Sequence, residues 1–258
     1  MKRIIGLTAL TAISMSTFAE AEKDLTADLE FGLISTSGNT ESNSLLGKFG
    51  IKQNLTKWRN QLLIEGLYKN DESSDDNTGE TETETTAQKY FISAQSDLKL
   101  DDKHKGFFIY GSYEDDRFSG YEYQASIAIG FSDRLFETPN SHLNYSVGPG
   151  VAFTKTEDSI DDDGVFIESE EEENFVIRLS ADYLYQISSN AKFTQTFSTD
   201  YSPDSDKNTK TKAESAITAN LNSSLALKAS FAITNNSVVL DGIEKTDSQT
   251  AVTLVYNF

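Results

Sequence analysis

The feature that most constrains the fold of this chain is an alternation of apolar and polar residues that recurs in about twelve segments. Because successive side chains of an extended strand point to opposite faces, each segment predicts a β-strand with one apolar face. Each is long enough to cross about 25 Å of hydrocarbon, which takes about 9–11 tilted strand residues. The segments are Leu25 to Thr36, Asn43 to Leu55, Arg59 to Tyr68, Thr85 to Leu98, Gly106 to Asp116, Tyr121 to Arg134, His142 to Lys155, Asn174 to Ile187, Ala191 to Tyr201, Lys210 to Asn222, Leu225 to Asn235 and Lys245 to Phe258.

The C-terminal stretch SQTAVTLVYNF shows the pattern clearly, and its apolar face needs an apolar surrounding. One face of this stretch carries Val252, Leu254, Tyr256 and Phe258, and the other carries Ala251, Thr253, Val255 and Asn257.

The connections between the segments alternate in length. Those after the second, fourth, sixth, eighth and tenth segments are short, whereas those after the third and seventh, Lys69 to Glu84 and Thr156 to Glu173, are long and acidic. Short turns on one rim and longer loops on the other predict an up-and-down antiparallel barrel of about twelve strands. Both termini then lie on the side of the short turns.

The alternating segments also allow a soluble sandwich or a lipocalin-like barrel. A soluble barrel places its apolar side chains inward, and eight strands usually suffice. The opposite face of the segments here carries many charged residues, which favours a polar lumen inside a transmembrane barrel with short periplasmic turns and longer acidic extracellular loops. These residues are Lys48, Lys52, Glu65, Lys89, Asp97, Glu114, Arg178, Asp182, Lys212, Glu214 and Lys228.

The N-terminus has the order of a secretory signal peptide. Lys2 and Arg3 precede an uncharged run, which ends at the small-residue site Ala19-Glu20-Ala21. We therefore expect a signal peptide over residues 1–21 and a barrel domain over residues 22–258. No later segment approaches 18 consecutive apolar residues, which excludes a helical membrane protein.

Composition excludes several classes of partner and chemistry. The formal net charge of −19 argues against nucleic acid or anionic lipid as an electrostatic partner. The absence of cysteine excludes disulfides, thiolate nucleophiles and cysteine-ligated zinc.

Pro149 interrupts the seventh segment without breaking its alternation. Proline lacks the N–H that a strand of a closed barrel needs for its ladder. We therefore expect a bulge or a bend at Gly148-Pro149-Gly150.

The acidic loop SIDDDGVFIESE is comparable with an EF-hand calcium loop. With Ser159 as the first position, Asp161, Asp163 and Glu170 occupy the third, fifth and twelfth positions. Ser replaces the usual first Asp and neither flank is a predicted helix, so Asp161, Asp163 and Glu170 are weak metal-ligand candidates beside the alternative of a solvated acidic loop. Collectively, the two long acidic loops should attract cations diffusely.

The chain has two histidines, His104 and His142, and both fall on the short-turn rim. A hydrolase needs a base close to its nucleophile, and His142 beside Ser141 is better explained as a turn residue. We expect no catalytic residues and no cofactor.

The stretches LISTSGNTESNS, YGSYEDDRFSGYEYQASIAIGFSDRLFETPNSHLNYSVGPGVAFTK and VYNF resemble the YdiY-like salt-induced outer membrane proteins, domain-of-unknown-function family 481. The resemblance implies the cell outer membrane as the location. It also implies that Tyr256 and Phe258 present the terminal signal that the barrel assembly machinery recognises.

Two functions agree with this reading. The first is a narrow passive pore or small-solute channel, because twelve strands lie between the filled interior of eight and the aqueous channel of sixteen. The second is a non-conducting barrel that displays its acidic loops to lipopolysaccharide and outer-membrane lipid. A link to salt or envelope stress comes only from the resemblance.

Overall fold

The computed structural model describes residues 25–36, 41–74, 81–100, 104–117, 119–160, 166–240 and 243–258. Within these residues, twelve β-strands form one closed antiparallel barrel, and two short strands, β8 and β9, pair with each other between β7 and β10. None of the residues described belongs to a helix that is long and apolar enough to cross a membrane. The strands are β1 (Leu25–Thr36), β2 (Glu41–Asn54), β3 (Trp58–Ser74), β4 (Thr81–Lys99), β5 (Gly106–Asp116), β6 (Tyr121–Glu137), β7 (Ser141–Thr156), β8 (Ser159–Ile160), β9 (Phe166–Ile167), β10 (Glu171–Ser188), β11 (Ala191–Tyr201), β12 (Lys210–Asn220), β13 (Leu225–Asn236) and β14 (Thr246–Asn257).

The barrel closes where the first strand meets the last. Phe31 of β1 lies opposite Leu254 of β14, and the Phe258 N–H donates to the Ala27 carbonyl at 2.9 Å. The other barrel strands follow one another in chain order, with β10 beside β7. Each predicted segment corresponds to one strand of this barrel, so the predicted strand number and up-and-down order are confirmed. The predicted signal peptide lies outside the described residues.

The wall is apolar on the outside and polar on the inside. On β6, Ile127 and Ile129 are 54% and 58% exposed on the outer face, whereas Ala128 between them is buried. On β14, Val252 and Leu254 are exposed and Thr253 is buried. Among the described residues, fifteen polar or charged residues are buried against ten apolar ones. A soluble barrel would show the reverse arrangement.

The two rims of the barrel differ in the length of their connections. The connections at residues 55–57, 100–105, 138–140, 189–190 and 221–224 lie on the rim that also holds Leu25 and Phe258, which we call the short-turn rim. The opposite rim, the long-loop rim, carries the connections at 157–170, 202–209 and 237–245. The predicted alternation of turn lengths is therefore observed at these positions.

The predicted long loop from Lys69 to Glu84 is wrong in its extent. β3 continues to Ser74 and β4 begins at Thr81, with Ser74 opposite Thr81. Backbone pairing does not require apolar side chains, and the threonines of this stretch favour extended structure. The β3–β4 hairpin therefore continues beyond the alternating part of the wall.

The structure shows no bulge at Pro149, one of the two irregularities that the sequence predicts there, and the bend stays a prediction. Pro149 lies opposite Ile177 in an unbroken register with β10, and the register with β6 is the same on both sides of it. The backbones of β6 and β7 approach each other closely beside Pro149. A Cβ on Gly148 would lie 1.9 Å from the Ile129 carbonyl oxygen, and a Cβ on Gly130 would lie 2.2 Å from the Val147 carbonyl oxygen.

Candidate functional site in the barrel lumen

A row of five side chains, four of them polar, runs around one half of the inner wall. Lys48 of β2 lies opposite Glu65 of β3, and Glu65 lies opposite Phe91 of β4. Phe91 in turn lies opposite Glu114 of β5, which lies opposite Gln124 of β6. Because directly opposite residues share a face of the sheet, these five side chains are neighbours on the lumen side.

A second row lies on the facing wall. Arg178 of β10 lies opposite Asp200 of β11, Asp200 opposite Lys210 of β12, and Lys210 opposite Asn236 of β13. In the ring of twelve strands, β12 is five positions away from β5, so the two rows face each other across the lumen.

Glu114 joins the two rows. This carboxylate accepts Lys210 Nζ at 2.7 Å and Lys212 Nζ at 2.5 Å from the facing wall, and Lys89 Nζ at 3.1 Å from the adjacent β4. The ammonium of Lys212 also lies 3.6 Å from the centre of the Phe91 ring. The Glu114 side chain is 3% exposed, which is tolerable for a charge only because it is paired.

A second carboxylate, Glu214 of β12, makes a similar bridge. It accepts Lys48 Nζ from β2 at 2.7 Å and Lys228 Nζ from the adjacent β13 at 2.8 Å. Lys48 also pairs with Glu65 at 3.1 Å, and Lys228 pairs with Glu30 of β1 at 3.0 Å. Side chains from both walls therefore cross the lumen at two places, which we call the Glu114 bridge and the Glu214 bridge.

Arg178 fills the lumen beside the Glu114 bridge. Its guanidinium pairs with Asp200 at 2.8 Å and lies 3.4 Å from the centre of the Tyr110 ring, which is a cation–π geometry. All three side chains are largely buried. This part of the lumen is packed and leaves a cavity of only about 60 Å³, which we call the small cavity.

A larger cavity of about 840 Å³ lies mainly along β1–β4 and β12–β14 and extends to residues of β5, β10 and β11. It follows β2 from Ser44 to Lys52 and β3 from Gln61 to Lys69, and so passes both bridges. Its ionisable lining is balanced, with seven acidic and seven basic side chains. They are Asp28, Glu30, Glu65, Asp116, Asp182, Glu214 and Asp247, and Lys48, Lys52, Lys69, Lys89, Arg178, Lys212 and Lys228.

Three charged groups in the half of this cavity nearer the short-turn rim are not held by the bridges. Asp28, Lys52 and Asp182 line the cavity. In the described part of the chain, no ion pair or hydrogen bond holds their side chains. Groups of both signs are therefore available to a solute inside the lumen.

The predicted metal candidates do not meet in the described structure. Asp161 and Asp163 lie outside the described residues, between β8 and β9. Glu170 has an exposed side chain, and its N–H donates to Thr156 Oγ1 at 3.0 Å. Among the residues that the structure describes, no group of three acidic or histidine side chains is arranged to hold a metal ion. Metal binding by Asp161, Asp163 and Glu170 stays a prediction.

Both histidines lie at the short-turn rim, as the sequence predicts. His104 Nε2 lies 3.1 Å from Glu137, and His142 lies opposite Glu137 in the pairing of β6 with β7. Arg134 also pairs with Glu137, at 2.8 Å. The absence of catalysis stays an expectation.

The sequence predicts most of the charged lumen but misses seven charged residues that line the two cavities: Asp28, Glu30, Lys69, Asp116, Asp200, Lys210 and Asp247. The same alternation identifies them, because Glu30 lies between the outward-facing Leu29 and Phe31. The partners of these groups have no comparable signal in the sequence, since Lys210 and Glu114 are 96 residues apart.

Comparison with known proteins finds a relative and several barrels of solved structure. The relative is "Uncharacterized protein YdiY" of Escherichia coli (strain K12), 26% identical over 240 residues, which cover 93% of this chain and 85% of the relative. The translocator domain of the autotransporter NalP from Neisseria meningitidis is 12% identical with a TM-score of 0.48, over 91% of this chain and 88% of that chain. The NanC porin is also 12% identical, with a TM-score of 0.43, over 90% of this chain and 97% of that chain.

The family described as "Protein of unknown function, DUF481" matches residues 29–258, and the chain belongs to this family.

Proposed function

We propose that this protein spans the outer membrane and is a narrow passive channel for small polar solutes. The main observation behind this proposal is the cavity of about 840 Å³ that follows β2 and β3 past both bridges. A cavity of this size matches sites for small molecules, which are about 300–1,000 Å³. The lumen formed by the described residues therefore suits small solutes.

The outer wall supports the membrane placement. Its outward side chains are large and apolar, and many are about half exposed, including Phe107, Ile129, Phe175, Ile217 and Val252. In water such a continuous surface would be very costly, whereas hydrocarbon removes that cost. The barrel closes through four pairs between β1 and β14, from Asp28–Asn257 to Phe31–Leu254, and a wall in lipid requires such closure. Outer-membrane lipid and lipopolysaccharide are thus its proposed surroundings.

The lining of the cavity supports a preference for polar solutes over single ions. Its seven acidic and seven basic groups leave no net charge to select cations or anions. The unpaired Asp28, Lys52 and Asp182 offer both a cationic and two anionic contacts. A neutral polar or zwitterionic solute can use both signs of charge at once, whereas a single ion meets attraction and repulsion together.

The second candidate is a non-conducting barrel that anchors its acidic loops at the membrane surface. The Glu114 and Glu214 bridges favour it, because both cross the lumen and hold charged groups in place. Diffuse cations, and lipopolysaccharide bridged by them, are the partners proposed for the loops. Neither candidate includes a catalytic role.

Single-channel recording in planar bilayers separates the two candidates. We expect small, stable openings from the wild-type protein and larger ones from Glu214→Gln, because the neutral side chain no longer holds Lys48 and Lys228. Glu168→Gln is the matched control, since the Glu168 side chain is exposed on the long-loop rim. A silent bilayer with both wild type and Glu214→Gln would favour the non-conducting barrel.

The proposed channel function also predicts how conductance depends on salt concentration. The Glu214 bridge lines the larger cavity. Added salt weakens ion pairs that solvent can reach, because it shortens the Debye length from about 10 Å at 0.1 M to about 3 Å at 1 M. We expect conductance to rise more steeply with salt than bulk conductivity does. Strict proportionality between the two would argue against a role for the bridges in conduction.

A further inference from the structure

The connection between β13 and β14 reaches across the long-loop rim to the far wall. The Tyr121 hydroxyl at the start of β6 donates to the Val238 carbonyl at 2.7 Å. β13 and β6 are five positions apart in the ring of twelve strands, so this hydrogen bond spans the mouth of the barrel. We call the described residues 237–240 and 243–245 of this connection the strap.

Apolar contacts fix the strap on the turn between β5 and β6. Gly120 has a φ of +76° and is buried beneath the strap. A Cβ at this position would lie 3.4 Å from Ile243 Cγ1 and 3.5 Å from Leu240 Cδ1. Glycine is suited to this position because of its positive φ. Half-buried Leu240 and Ile243 would lose this contact if the strap moved away into water.

The β11–β12 connection at residues 202–209 supports the strap from one side. The Thr209 N–H donates to Ser237 Oγ at 2.8 Å, and the Ser237 N–H donates to the Thr209 carbonyl at 3.1 Å. The Val238 N–H donates to Asn208 Oδ1 at 3.3 Å. The two connections therefore form one covering layer.

This layer is tied both to the Glu114 bridge and to the wall. Asn236 Oδ1 accepts Asn208 Nδ2 at 2.9 Å and Gln124 Nε2 at 3.2 Å, and Gln124 also accepts Lys210 Nζ. On the wall side, Lys207 Nζ pairs with Glu172 of β10 at 2.7 Å. This hydrogen bond raises the pKa of the Lys207 ammonium.

The covering layer lies over the small cavity, which shares Phe91, Tyr110, Arg178, Ser198 and Lys212 with the larger cavity. The small cavity is lined by residues of β4–β7 and β10–β12 and by Asn208 of the covering layer. The larger cavity reaches the long-loop end of the wall at Ser44, Lys69 and Asp247, on the side of β1–β4 and β14.

We propose that the strap closes the mouth of the barrel over the small cavity, so that solutes do not enter the lumen directly above it. This inference rests on the proposed channel function. Its physical content, a strap that covers the small cavity, is measurable without any conduction.

Cysteine labelling tests the inference directly, because the chain contains no cysteine of its own. Thr154→Cys lies under the covering layer and lines only the small cavity, whereas Ser44→Cys lines only the larger one. Both positions are near the long-loop ends of their strands. Each variant is reconstituted in vesicles and labelled from the long-loop side with a small, membrane-impermeant thiosulfonate reagent.

We expect Thr154→Cys to be labelled at least about tenfold more slowly than Ser44→Cys, because burial of Leu240 and Ile243 favours the closed strap. Adding Leu240→Ser with Ile243→Ser should raise the Thr154→Cys rate and leave the Ser44→Cys rate unchanged. Tyr121→Phe, which removes one hydroxyl, should raise the Thr154→Cys rate by about twofold to tenfold, the value of a single hydrogen bond.

Equal labelling of the two cysteines in the unaltered strap would overturn the inference. So would a Thr154→Cys rate that neither strap variant changes, provided that each variant keeps the heat-modifiable gel mobility of a folded barrel. A silent bilayer combined with the expected labelling would remove the channel function and leave the covered mouth in place. Failure of the proposed channel function and failure of the strap inference therefore give different results.

Discussion

Lys210 of β12 and Glu114 of β5 form an ion pair 2.7 Å long across the lumen, although 96 residues separate them in the chain. Lys212 reaches the same carboxylate from the same strand. A closed barrel of twelve strands has an interior too wide to be filled by apolar packing alone. The Glu114 bridge therefore joins opposite walls and resists flattening of the barrel.

The first prediction concerns the two bridging carboxylates. Glu114→Gln should lower the free energy of unfolding by about 3–5 kcal/mol, because it leaves buried lysines without their counter-charge. Glu214→Gln should cost less, about 1–3 kcal/mol, because the Glu214 side chain is 19% exposed whereas that of Glu114 is 3% exposed. The measurement is denaturant unfolding in lipid vesicles, followed by fluorescence of Trp58, the single tryptophan.

The control for this comparison is Glu168→Gln, which removes one charge from an exposed position. Its unfolding free energy should stay within about 0.5 kcal/mol of wild type. If all three variants lost the same stability, total charge rather than the bridges would be responsible.

The second prediction concerns the close backbone approach beside Pro149. Gly148→Ala should lower the free energy of unfolding by at least about 1–3 kcal/mol, because its Cβ would overlap the Ile129 carbonyl oxygen. Gly66→Ala on β3 is the matched control, since nothing lies within 4 Å of its added Cβ. Equal stability of the two variants in vesicles would contradict the close approach.

The wall was predictable from the sequence because alternation fixes which face each residue occupies. Ile129 and Ala128 lie on opposite faces because they are consecutive residues of a strand, so their positions in the sequence are enough to assign their faces. The extent of the β3–β4 hairpin was not predictable in this way, because backbone pairing continues through residues without an apolar face. At Pro149 the register shows no bulge, and the close approach of Gly148 to Gly130 on β6 has no local signal in the sequence.

The contacts of the bridges and of the strap could not be predicted from the sequence, for a different reason. Whether Lys210 meets Glu114 or another acid depends on strand tilt and register around the whole ring, which no local pattern encodes. The strap has one local signal, the apolar run Val238-Val239-Leu240 in a rim connection. An apolar run in a water-facing loop needs a partner surface, and Gly120 and Tyr121 supply it.

The third prediction tests the membrane placement by depth along one strand. Ile129→Lys, near the middle of β6, should lower the free energy of unfolding in lipid by about 2–4 kcal/mol, the cost of a lysine near the bilayer midplane. Leu135→Lys, near the short-turn end of the same strand, should cost about 0–1 kcal/mol. Both side chains are exposed, at 58% and 67%, so burial within the protein does not explain the difference. Equal costs at the two depths would argue against a hydrocarbon band around the wall.

The fourth prediction concerns the C-terminal aromatic residues. Phe258 is 70% exposed and its ring lies 4.7 Å from that of Tyr256 in an edge-to-face contact. Its side chain adds little to the packing of the folded barrel, so we propose that its role is recognition by the barrel assembly machinery. Phe258→Ala keeps the N–H that bonds to Ala27, and should leave the unfolding free energy in vesicles within about 0.5 kcal/mol of wild type.

In cells, the same Phe258→Ala variant should reduce the heat-modifiable, membrane-inserted fraction. The matched control is Phe31→Ala, which removes an exposed aromatic side chain from the neighbouring β1. This variant should insert normally, because its side chain lies away from the C-terminus. An unchanged inserted fraction for Phe258→Ala would contradict the recognition role, and an equal loss for both variants would assign the effect to the apolar wall.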